Sequence, residues 1–359
     1  MTCYWRARAM EVELDSQLIG NARCDDLTLL GICALGFAGR HRVIPDDKTL
    51  WGQWATQFGP SLADELDCVW ELGAQEAAVG RPVRKLKITR SFHSTSLHAL
   101  RMSPEAGLDL LARPLRILLE NGRSDRDFLL AFAKADLRDT LQNAEQRGWL
   151  EFETAGGIGE LKVRLQNADA QPDHQLLRTV FVCDSDARSP MQPSCDARAV
   201  DKGLQELERR FEGRRGDFGC VLLRRACENY APPSDVCSWA RSRYPEGHSV
   251  FSALETDAGT DDLCQDPGEP CSPRRHMLAA IALRSLSKRV PQSVDVLDMK
   301  NGMKGTDEEV WSTLERFEQV ALKDGFGARF SADFFGSQRN LHDHSEHLEP
   351  ILVNLRERL

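Results

Sequence analysis

Basic residues are the scarcer charge in this 359-residue chain, with 46 Lys and Arg against 55 Asp and Glu and a formal net charge of −9. That balance argues against a protein that coats nucleic acid by charge alone, since such binders need clustered cations to displace counterions. It leaves room for an enzyme acting on nucleic acid, because carboxylates gathered at a metal site lower the total while a local basic strip still holds phosphate. No CxxC pair occurs among the 11 dispersed cysteines, which argues against a zinc ribbon or a thioredoxin-like motif. The odd cysteine count, with an opening stretch MTCYWRARAMEVELD that lacks an apolar leader segment, favours a reduced, cytoplasmic protein over a secreted one. No run of about 18 apolar residues is found, so no membrane span is expected.

What is present fits a folded protein of two domains: 41% hydrophobic residues, 28% charged residues and 15 Phe. Residues 1–110 read as a separate, mainly helical unit, because LTLLGICALGF and LADELDCVWELGAQEAAV repeat their apolar residues at helical spacing. Within it, PVRKLKITR gathers Arg81, Arg84, Lys85, Lys87 and Arg90 with partly strand-like alternation. This strip reads either as a solvated charged face or as a nucleic-acid contact through Arg84, Lys85 and Lys87. The unit is also expected to pair two copies of the chain or to seat a regulatory protein.

Residues 111–359 change to short apolar runs separated by helices, the pattern of a mostly parallel α/β sheet. PLRILLE is a buried strand, NGRS a tight turn, and DRDFLLAFAKADLRDTLQNAEQRG a helix capped by Ser124 or Asp125 and ended by Gly148. A Gly156-Gly157 turn then leads into a short helix, and RTVFVCDSDAR is an apolar strand running into two aspartates. The stretch at about 255–273, ETDAGTDDLCQDPGEPCSP, is acidic, Gly- and Pro-containing, and reads as a loop interrupting the domain.

Asp184 and Asp186 carry the strongest chemical signal. Alternate residues at a strand end keep both side chains near one face, and a hard cation such as Mg²⁺ relieves the repulsion between two close carboxylates. In isolation the pair reads equally as solvated loop aspartates. Glu120 ends another buried strand and reaches the same sheet edge if the two strands are neighbours, the edge where open α/β sheets place their ligands. Glu120 has an alternative role in capping the next helix, which Asp125 fits better.

In this order, ILLENGRSDRDFL, a GG turn, VFVCDSDAR and LLRRACENY resemble the TOPRIM domain over roughly residues 114–305, most closely the nuclease branch related to the overcoming-lysogenization-defect family. The resemblance implies a Rossmann-like sheet flanked by helices, with Glu120 in acid/base work or metal binding, Asp184 and Asp186 as the metal-binding DxD, and Glu228 completing the shell. The family usually places glycine directly after the glutamate, whereas Asn121 intervenes here before Gly122, so the turn is read as one residue longer. The activity implied is Mg²⁺- or Mn²⁺-dependent hydrolysis of phosphodiesters in DNA or RNA, with a role in defence against foreign genetic elements.

For that chemistry, Lys300 and Lys304 are candidates to neutralise charge on the reacting phosphate, and Arg224 and Arg225 to hold the scissile strand. Each also reads as an exposed cation. Three competing functions remain: a TOPRIM-like module of a topoisomerase or primase, a decayed interaction protein, and a haloacid-dehalogenase-type phosphatase. The first is disfavoured by the lack of a tyrosine in a suitable setting among Tyr4, Tyr230 and Tyr244. The last is disfavoured by Ala187 and Arg188 after the DxD and by the α/β units upstream.

Overall fold

The computed structural model describes residues 10–19, 25–77, 84–90, 93–185, 193–222, 335 and 348–358. Two four-stranded parallel sheets organise these residues. The first half contains β1 (Met10–Leu14), α1 (Ser16–Ile19), α2 (Asp26–Phe37), β2 (Arg42–Pro45), α3 (Lys48–Ala55), α4 (Pro60–Ala77), β3 (Arg84–Ile88), β4 (Leu100–Met102) and α5 (Pro104–Ala112). Its sheet runs β2-β1-β3-β4.

Helices fill most of the described part of residues 1–110, and a four-stranded parallel sheet that the sequence reading did not foresee runs through them. These strands are short, and β1 and β3 bury mainly one face. Met10, Val12 and Leu14 lie in the core while Glu11 and Glu13 alternate outward, and Leu86 and Ile88 alternate with Lys85 and Lys87 in the same way. Such segments lack the continuous apolar run that marks a fully buried parallel strand. Around them, Asp47 caps α3 by accepting from the Thr49 and Leu50 amides, and Ser103 caps α5 ahead of Pro104.

The second half contains β5 (Leu115–Leu119), α6 (Arg123–Phe132), α7 (Ala135–Gln146), β6 (Leu150–Thr154), α8 (Ile158–Gln166), α9 (Asp173–Leu176), β7 (Thr179–Cys183), α10 (Cys195–Arg210), β8 (Gly219–Val221) and α11 (Glu349–Arg358). Strand order is β6-β5-β7-β8. Both faces are covered. Leu118, Phe181 and Cys183 join the core formed with Leu161, Val200 and Leu204 of α8 and α10, a core continuous with that of the first sheet. Leu115, Ile117, Leu119, Val180 and Val182 face Phe128 and Phe132 of α6, Leu141 of α7 and Ile351 and Leu355 of α11. Each fully buried side chain of this size contributes about 1.5–3 kcal/mol of transfer free energy.

The helix expected across 125–148 is broken in two at Ala133–Lys134. Arg138 explains the break locally, because its guanidinium donates to the carbonyls of Leu130 at 2.8 Å and Ala133 at 2.9 Å, oxygens that a continuous helix would otherwise use. Gly148 does end α7, in the left-handed region at φ 68, with the Trp149 amide returning to the Ala144 carbonyl at 2.8 Å. Among the described residues no helix is long and apolar enough to cross a membrane.

Candidate metal and phosphate site

In the second sheet the chain steps from β5 outward to β6 and then back across to β7 on the other side. The crevice between the carboxyl ends of β5 and β7 is thus a topological switch point, the usual ligand position in an open α/β sheet. Glu120 directly follows β5 and Asp184 directly follows β7. With Leu119 registered against Val182, the two acidic residues leave the sheet side by side, and the Asp184 amide donates to Glu120 Oε2 at 3.3 Å. Both residues are half-buried.

The turn carrying Glu120 is pinned on either side. The Gly157 amide donates to the Glu120 carbonyl at 3.1 Å, and the Ala155 amide to the Leu119 carbonyl at 2.7 Å. Asp125 stands in the first turn of α6, where its buried carboxylate reaches back to accept from the Asn121 amide at 2.8 Å, in the manner of a capping box. Ser124 donates to the Asn121 carbonyl at 3.1 Å. The N-cap position itself is Gly122, at φ 56, so Ser124 and Asp125 act from within the first turn of the helix. Asn121 is exposed with its main chain held by its neighbours, while the Glu120 side chain reaches the second strand.

A third helix closes on the same edge. The carbonyl of buried Ser185 accepts from the Ser194 amide at 3.0 Å, and the Ser194 hydroxyl accepts from the Ala197 amide at 3.0 Å to cap α10. The amino ends of α6, α8 and α10 therefore gather around Glu120 and Asp184. Their aligned peptide dipoles favour negative charge there, whether carboxylate or phosphate. Sequence reading missed Ser185, Ser194 and the Gly157 amide. The Ser-x-x-Ala start of α10 is a local cap signal, but its tie to Ser185 depends on tertiary placement.

Comparison of the chain with protein-family models, with curated protein sequences and with solved structures finds no match in any of the three. The site therefore rests on its own geometry. Among the described residues no group of three or more His, Cys, Asp or Glu side chains is arranged to hold a metal ion. Glu120 and Asp184 supply two carboxylates, hard oxygen donors of the kind Mg²⁺ and Mn²⁺ prefer. Asp186, Glu228, Lys300, Lys304, Arg224, Arg225 and the acidic stretch at 255–273 lie outside the described residues.

The described basic residues of β3 are each set against a carboxylate, while the Lys85 side chain stays exposed. Arg84 is largely buried and paired with Asp217 at 2.7 Å, Lys85 pairs with Glu11 at 2.9 Å, and Lys87 pairs with Glu13 at 2.6 Å beside Asp15 and Asp46. Those carboxylates raise the Lys87 pKa, the hydrogen bond to Glu13 contributing most. The reason is cross-strand register: Glu11 faces Lys85 and Glu13 faces Lys87 on paired parallel strands.

Proposed function

We propose that the chain is a divalent-metal-dependent nuclease of TOPRIM type. The observation that carries this reading is the meeting of Glu120 and Asp184 at the switch point of a parallel sheet, ringed by the amino ends of three helices. Mg²⁺ or Mn²⁺ would be held by Glu120 and Asp184, with Asp186 and Glu228 as the further ligands implied by resemblance. Such an ion, when bound, supplies a more acidic water and neutralises charge on a phosphodiester.

The chain's own residues do the positioning. The Asp184 amide orients the Glu120 carboxylate, and Asp125, Ser124 and Gly157 fix the turn that carries it. Helix amino ends favour the incoming phosphate. Lys300 and Lys304 are assigned to the charge that develops on phosphorus-bound oxygens, and Arg224 and Arg225 to the strand being cut. DNA or RNA is the substrate class, in the cytoplasm and in defence against foreign genetic elements, with the first unit contacting a second copy or a regulatory protein.

The test is cleavage of plasmid, linear duplex DNA, single-stranded DNA and tRNA with Mg²⁺ or Mn²⁺, comparing wild type with Asp184→Ala and Glu120→Gln. The expected result is metal-dependent cutting of at least one substrate by wild type and a loss of about 100-fold or more in either variant. Intact substrates throughout, or variants that cut like wild type, overturn the proposal. Hydrolysis of phosphomonoesters alone would point to a phosphatase instead.

A further inference from the structure

The helices that begin at the carboxyl edge of the second sheet, α6, α8 and α10, carry several cations in their first two turns, and most are committed to partners within the chain. Arg126 is held by Glu145 at 2.6 Å, Lys162 by Asp196 at 2.7 Å and Arg164 by Glu153 at 2.5 Å. Arg198 donates to the Pro193 carbonyl at 2.8 Å and to Cys195 Sγ at 3.1 Å. Arg123 is the exception. It is the first residue of α6, and its side chain is 87% exposed. Among the described residues its carboxylate neighbour is Asp127, 3.8 Å away, and Asp127 already accepts from Arg126 at 2.8 Å.

Helix energetics do not account for an arginine at this position. A cation in the first turn opposes the helix dipole, which favours negative charge there. A pair spaced i,i+4 with the acid on the carboxyl side is also the weaker of the two possible orders. What the position does provide is access to the candidate site. Arg123 follows Glu120 by three residues, so their Cα atoms stand at most about 11 Å apart. The Cα–Cβ bonds of a helix tilt toward its amino end. For α6 that end lies at the sheet edge where Glu120 meets the Asp184 amide.

On the nuclease reading of this site, on which the inference rests, we propose that Arg123 holds a backbone phosphate of the nucleic acid next to the one that Glu120 and Asp184 address. A guanidinium presents a planar fork of donors that matches two oxygens of one phosphate. Each strand of a duplex carries one phosphate per about 3.4 Å of axis, so the neighbours of the scissile phosphate fall within the span between Glu120 and Arg123. Such a contact fixes the register of the strand and reads no base edge, so it serves any sequence.

The experiment is equilibrium binding of fluorescein-labelled duplex DNA, single-stranded DNA and RNA oligonucleotides to the full chain, followed by anisotropy across a KCl series. Wild type is compared with Arg123→Ala and Arg123→Lys in EDTA, which removes the metal so that binding is read without cleavage. Loss of one phosphate contact flattens the slope of log K against log[KCl] by about 0.7–0.9. Arg123→Ala is expected to show that flatter slope and to bind about 3- to 10-fold more weakly at the lowest salt. Its Tm is expected to match wild type, because the side chain is exposed. Arg123→Lys is expected to keep the wild-type slope, since a point charge still neutralises the phosphate. Arg123→Ala binding with wild-type affinity and slope overturns the proposal and leaves the nuclease reading untouched. Wild type that binds none of the strands also overturns it, and the Mg²⁺ cleavage assay then shows whether the nuclease reading falls as well.

Discussion

Replacing Gly122 with alanine tests how the turn that carries Glu120 is built. Gly122 sits at φ 56, ψ −111, a conformation that costs a side-chain-bearing residue about 1–3 kcal/mol. An alanine Cβ there would also stand 2.1 Å from Thr154 Oγ1, at the end of the neighbouring strand β6. Relieving such overlap costs a further 1–3 kcal/mol or so, typical of overpacking. Gly122→Ala should therefore lower stability by about 2–6 kcal/mol, read by denaturant unfolding. Thr154 is exposed, so Thr154→Ala alone should change stability by only about 0.5 kcal/mol. In the double variant the hydroxyl is gone while the backbone strain remains, and about 1–3 kcal/mol should be recovered. A Gly122→Ala protein as stable as wild type, or a double variant no better than the single, would refute the reasoning.

Gly219→Ala should be more damaging still, on the order of 3 kcal/mol or more, because its Cβ would lie 1.9 Å from the Phe181 carbonyl oxygen on paired strand β7 and main chain there cannot move aside; a wild-type unfolding midpoint would contradict this. Glu212 is the one non-glycine residue at positive φ among the described residues, 50°, and occupies the left-handed position ending α10 with the Gly213 amide returning to the Glu208 carbonyl at 2.7 Å. Glu212→Gly should stabilise the protein by about 0.5–1 kcal/mol, and a fall in Tm would show the assignment to be wrong. Burial raises the Glu208 pKa above the ordinary glutamate value, against the opposing hydrogen bond from the Gly216 amide. The folded state then favours the protonated acid, so this contribution is present at low pH and is lost as pH rises through the raised value. Glu208→Gln should be stabilising in mildly alkaline buffer, with the gain vanishing below about pH 4, where both states of the wild type carry the acid form; a pH-independent difference would sink the idea.

The second sheet and two residues of the candidate site were legible in the sequence. β5 and β7 are buried on both faces, so PLRILL and TVFVC read as continuous apolar runs, and the residues that end them stand out as Glu120 and Asp184. Gly148 and the Gly156-Gly157 turn were legible for the same local reason, since a left-handed backbone favours glycine wherever it occurs. Tertiary structure alone decided the rest. β1 and β3 alternate charged and apolar residues because one face stays out of the core, and that pattern is hidden beside the long apolar segment of α2 and the helical periodicity of α4. Arg84, Lys85 and Lys87 form a basic strip in sequence, yet strand register sets Lys85 and Lys87 against Glu11 and Glu13, and the packing of the two sheets brings Asp217 to Arg84. Whether Glu120 meets Asp184 depends on β5 pairing with β7 rather than on either segment. Local preferences are written in adjacent residues, whereas charge pairing and site assembly depend on contacts that only the folded chain creates.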